Sequence, residues 1–111
     1  MRRIVGKKKK PPKIDNLCEK IRDCLKHHRY RQSRHAMERV DKRRVTFLAV
    51  LYVLETGYRE EAKDSYEEVF QNWKYSMRGK TEEDVNLRVI ITIDKENIII
   101  ITVVNLDITE D

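Results

Sequence analysis

The sequence predicts an α+β fold, with N-terminal helices packed on one face of a small antiparallel β-sheet. Three observations carry that expectation. Apolar residues recur at three- and four-residue steps up to about residue 57, they alternate with a period of two from about residue 69, and the strand-like segments are joined by short polar connections suited to hairpins. With 111 residues, 40% of them hydrophobic, the chain suits one domain with one modest core over residues 14–111, preceded by a disordered basic arm over residues 1–13.

The arm holds Lys7–Lys10 followed by Pro11 and Pro12 and has almost nothing to bury. From Asp15 to His27, Ile14, Leu17, Ile21, Cys24 and Leu25 fall on one stripe of a first helix, with Asp15 as its cap. Tyr30–Gln32 reads as a short extended piece. Ser33 then caps a second helix that begins at Arg34 and ends or kinks near residues 41–44. Thr46 caps a third, whose period is marked by Phe47, Val50, Leu51 and Leu54, and Gly57 closes it where a left-handed residue is expected. A first strand follows, with Val69, Gln71, Trp73, Tyr75 and Met77 on one side and Lys74 and Arg78 on the other; Trp73 and Tyr75 are most simply core aromatics. Residues 79–86 form a polar loop, Leu87, Val89, Ile91 and Ile93 the apolar face of a second strand, and 94–97 a tight turn. The third strand, Ile98–Leu106, is apolar on both faces and is expected to be covered on both sides or paired centrally.

Several function classes are excluded at this level. The longest apolar run is far below the roughly 20 residues that span a bilayer, and the charged N-terminus is followed by no apolar stretch, so a cytoplasmic protein without a membrane partner is expected. Glycine-rich phosphate loops, the dinucleotide fingerprint, the nucleophile elbow and HExxH are absent, and no cofactor is expected. Cys18 and Cys24, six apart on a helix, point in different directions and cannot reach disulfide geometry. With His27 and His28 they lack the paired CxxC spacing of a zinc site, so no metal is expected either.

Charge is distributed unevenly. Residues 1–44 carry 17 Lys/Arg and 5 Asp/Glu, a net of +12, whereas residues 45–111 carry 7 and 14, a net of −7. A basic segment of this density attracts polyanions, and RNA leads the expected partners. Arg31, Arg34, Lys42, Arg43 and Arg44, with Lys74 and Arg78 of the first strand, are the candidate nucleic-acid contacts; if the helices cover the Trp73 face, Lys74, Arg78 and Arg88 share the exposed one.

Within the second helix, His35, Glu38 and Arg39 lie on one side of a turn. Metal-independent RNA cleavage needs a base for the 2′-hydroxyl, a cation for the growing phosphorane charge and an acid for the leaving 5′-oxygen. Histidine, glutamate and arginine supply those roles. The competing reading is structural, with Glu38 paired to Arg34 or Lys42, each four residues away.

Ser33-x-His35-Ala36-x-x-Arg39, then Val45-Thr46 opening a helix that ends at Gly57, a Tyr-bearing strand, the Arg88-Val89-Ile90-Ile91 strand and the final Ile-Ile-Thr-Val-Val strand together resemble a bacterial and phage domain family of unassigned function placed near the RelE and BrnT ribonuclease toxins. The resemblance covers roughly residues 28–106. It implies helices against a curved antiparallel sheet, cleavage of mRNA, and a protein antitoxin as partner. Residue by residue, it makes His35 the proton-transfer group and Arg39 and Arg88 the phosphate clamps, while Glu38 is a base by local geometry alone.

Overall fold

The computed structural model describes residues 10–42, 45–69 and 71–108. In chain order these form α1 (Leu17–Lys26), β1 (Tyr30–Gln32), α2 (Arg34–Lys42), α3 (Phe47–Thr56), β2 (Tyr58–Arg59), a 3-10 turn at Glu61–Lys63, β3 (Ser65–Glu67), β4 (Asn72–Lys80), β5 (Asn86–Asp94) and β6 (Asn97–Asn105). The fold is α+β, as the two periodicities predict. No helix among the described residues is long and apolar enough to cross a membrane.

The sheet runs β1-β6-β5-β4-β2, with β3 paired to the start of β4. β4, β5 and β6 are the expected antiparallel meander, but β1 joins the edge of β6 in parallel, Tyr30 to Gln32 facing Ile98 to Ile100. Tyr75, Met77, Leu87, Val89, Ile91, Ile98 and Ile100 are buried, sharing one core with Leu17, Ile21 and Cys24 of α1 and Val50, Val53 and Leu54 of α3. A bulge explains why apolar residues fall on both faces of β6. Ile90 pairs with Thr102 and Ile91 with Ile100, so Ile101 is the extra residue and the buried set shifts from even to odd positions, reaching Val103.

Local signals place the helices. Thr46 Oγ1 accepts from the Ala49 amide at the start of α3. Ser33 does the same for Ala36, and its hydroxyl donates to the Ile101 carbonyl while its amide donates to that of Ile100. One serine therefore both caps α2 and fixes it to β6 where β1 ends. At α1 the cap residue is Asn16 rather than Asp15, without a side-chain capping bond. Gly57 does follow α3, but with φ −82° rather than a left-handed angle. A Cβ there would sit 2.4 Å from the Arg78 carbonyl oxygen, so close approach of β4 is what requires glycine.

The expected strand over 69–78 starts later. Gln71 has φ 52° and its amide closes a turn onto Glu68, which leaves Val69 exposed outside the ladder. Of the basic arm, residues 1–9 lie outside the described residues. Residues 10–14 run as a strap along β3 and β4: Trp73 Nε1 donates to the Pro11 carbonyl (2.7 Å), the Ile14 amide to the Tyr75 hydroxyl (3.0 Å) and Arg59 to the Ile14 carbonyl (2.7 Å).

Candidate functional site

α2 is short, and Ala36 is its one buried residue, so most of its side chains face solvent. His35 and Arg39, one turn apart, meet there: Arg39 Nε donates to His35 Nε2 at 3.3 Å. An accepting Nε2 places the ring proton of the neutral imidazole on Nδ1, the nitrogen left free to donate. His35, Glu38, Arg39, Asp41 and Lys42 line an open hollow of about 410 Å3. Among the described residues, the ion pairs that a purely structural α2 would make are missing: Glu38 forms no pair with Arg34 or Lys42, and neither these two nor Arg31 has a carboxylate partner; Arg31 lies exposed in β1. Arg43 and Arg44 lie outside the described residues.

Arg88 is placed differently. It stands in register with Arg78 across β4 and β5, on the side opposite the helices, and both reach Glu60. Arg88 Nε donates to Glu60 Oε1 at 2.7 Å and a terminal nitrogen to Oε2 at 3.1 Å, a two-point fork. Arg78 lies 3.5 Å from the same carboxylate, and the buried Ser76 hydroxyl donates to it at 2.8 Å. Arg88, then Ser76, hold the Glu60 carboxyl down at about 2 against the opposing effect of burial, and the same contact raises Arg88. Lys74, on the same side, is 3.6 Å from Glu67.

The structure therefore brings His35, Glu38 and Arg39 together but ties Arg88 to a separate cluster. No hydrogen bond or ion pair among the described residues joins the two groups. α2 lies against β6 and β1, one strand removed from β5. Sequence reasoning missed Glu60, which sits unmarked in an acidic run and meets Arg88 across 28 residues of chain. Among the described residues no three His, Cys, Asp or Glu side chains gather as metal ligands.

The family described as a domain of unknown function, DUF4258, matches residues 32–105. The chain belongs to that family. The match runs from the last residue of β1 to the last of β6, so it includes α2 and the Glu60 cluster and leaves out α1 and the strap. No curated protein matches the chain.

Proposed function

Taking that membership as the premise, we propose that the chain is a metal-independent endoribonuclease of the RelE/BrnT toxin type, acting on mRNA through the exposed face of α2. The observation that carries this reading is the Arg39–His35 contact on a helix whose neighbouring cations have no carboxylate partner among the described residues. A phosphodiester entering the hollow draws the Arg39 guanidinium onto its oxygens, where the charge of the phosphorane grows. Glu38 takes the 2′-hydroxyl proton, the 2′-oxygen attacks phosphorus, and His35 in its protonated form donates to the departing 5′-oxygen. The products are a 2′,3′-cyclic phosphate and a free 5′-hydroxyl. Arg88, held by Glu60, stays outside this assignment. A cell carrying such an activity needs it restrained, and the resemblance to RelE and BrnT supplies the form of that restraint, a protein antitoxin that covers α2.

One observation favours a second reading. The hollow on α2 is open rather than enclosed, and a site that does not exclude water suits binding better than proton transfer. In that case the protein is a non-catalytic RNA-binding module using the same face. Incubation with free RNA in excess EDTA, and with ribosome-bound mRNA at the magnesium concentration that keeps ribosomes assembled, separates the two. Fragments ending in 2′,3′-cyclic phosphate support the ribonuclease. Saturable binding of intact RNA without such ends rejects it for the binding module.

A further inference from the structure

The strap carries Lys10 and Lys13 to a pair of aromatic rings. Tyr66 of β3 and Trp73 of β4 stand edge to face, with centroids 5.3 Å apart and planes at 68°. Lys10 Nζ lies 5.4 Å from the Tyr66 ring and 5.7 Å from Trp73, and Lys13 Nζ lies 4.9 Å from Trp73. Trp73 is only partly buried, and the expectation of a core aromatic holds for its neighbour Tyr75 instead. Trp73 packs in part against the core, and on the side of the strap the rings are met by ammonium groups.

From this juxtaposition we infer that Lys10, Lys13, Tyr66 and Trp73 form a binding site for single-stranded RNA, in which an unpaired base stacks on the aromatic pair while the two ammonium groups turn to the flanking phosphates. The inference rests on the RNA-binding reading above and names the form of RNA recognised. Stacking of a base on an aromatic face is the stronger contact, and a lysine over a ring at the surface is held weakly, so the exchange is favourable on both sides. Lys10 trades its ring contacts for a phosphate, and Lys13 trades a ring face together with its 3.5 Å contact to Asp64, whose buried carboxylate stays with Arg59 at 2.8 Å. Glu67 is held by Lys74. The chain just before the strap adds Arg2, Arg3 and Lys7–Lys9, an electrostatic lead for the same polyanion. Duplex RNA offers no free base face and does not use the site.

Trp73 is the only tryptophan in the chain, which makes the test direct. The intact protein is titrated with an end-labelled 12-nucleotide oligouridylate and with a blunt-ended 12-base-pair RNA duplex, following label anisotropy and tryptophan fluorescence together. The single strand is expected to quench Trp73 in step with its anisotropy, and the duplex to bind without quenching. Trp73→Leu and Tyr66→Leu are each expected to weaken single-strand binding on the order of tenfold and to leave duplex binding within about twofold. If Trp73→Leu fails to fold, as circular dichroism shows, Tyr66→Leu and the wild-type quenching decide. Saturated single-strand anisotropy with unchanged fluorescence overturns the inference and leaves the α2 reading standing. Flat anisotropy with both RNAs at low salt overturns both.

Discussion

Two groups of cations, similar in residue type, have opposite situations. On β1 and α2, Arg31, Arg34 and Lys42 have no ion pair among the described residues, and Arg39 meets a histidine rather than a carboxylate. On β4 and β5, Lys74, Arg78 and Arg88 each face Glu60 or Glu67. The cause lies in where the acids fall along the chain. The first 44 residues hold 5 Asp/Glu for 17 Lys/Arg, whereas the segment between α3 and β4 brings a dense acidic run back against the strands. Charge that is already neutralised holds the fold together. Charge left without a partner is available to an anion.

The largest expected effect lies on the α2 side. His35→Ala removes the proposed acid, and cleavage is expected to fall by about 100-fold or more, with RNA affinity retained and unfolding free energy changed by less than about 0.5 kcal/mol. His35→Ala cleaving at the wild-type rate, measured on the same RNA, removes His35 from the chemistry and with it the contrast between the two groups.

Next comes the Glu60 side, where the effect is expected in stability. Glu60→Gln leaves the partly buried Arg88 fork and Arg78 without their counter-charge, and is expected to cost about 2–3 kcal/mol, read from the urea midpoint. A cost under about 0.5 kcal/mol would make this pair no different from a surface one. The acid limb tests the same point. The Glu60 carboxyl is depressed from its ordinary 4.5 to about 2, so its contribution is complete above pH 4.5 and is lost as the pH falls from there towards 2. Wild type is therefore expected to lose more stability than Glu60→Gln across that window, by up to about 3 kcal/mol. Parallel curves for the two proteins would show that Glu60 is not held by Arg88 in solution.

Gly57→Ala probes the approach that sets the β4 arginine, Arg78, in place. Its Cβ meets backbone oxygens of Arg78 and Val53 at 2.4 and 2.6 Å, and neither can turn aside as a side chain would. Overpacking of this kind is expected to cost about 1–3 kcal/mol, measured by thermal unfolding.

What could be read from the sequence follows the range of the interactions. The Ser33 cap and the His35–Arg39 meeting are set by steps of three and four residues within one helix, and both hold. The shared side of Lys74, Arg78 and Arg88 follows from strand alternation and also holds. Glu60 was invisible because its position depends on how the chain turns between β2 and β3, which no periodicity encodes. The same applies to Gly57. A helix-closing glycine suggests a left-handed angle, yet the reason for this one is a strand that approaches from about 20 residues later in the chain. The Ile101 bulge was hidden for a third reason: in a run apolar on both faces, broken only by Thr102, no alternation exists to show a register shift.

The smallest expected effect separates the groups most cleanly because folding is left out of it. Arg34→Gln and Lys42→Gln remove exposed cations without ion pairs among the described residues, so stability is expected to hold within about 0.5 kcal/mol. For each cation that no longer meets a phosphate of single-stranded RNA, the slope of log affinity against log salt is expected to flatten by about 0.7. Lys74→Gln is the matched control, since its ammonium already faces Glu67 at 3.6 Å. Its removal is expected to leave the slope nearly unchanged, because a cation paired within the protein has released its counterions before the RNA arrives. Equal flattening by Lys74→Gln and Arg34→Gln, measured across salt titrations of one oligonucleotide, would show that RNA reads the total charge of the molecule and not the cations that folding leaves without partners.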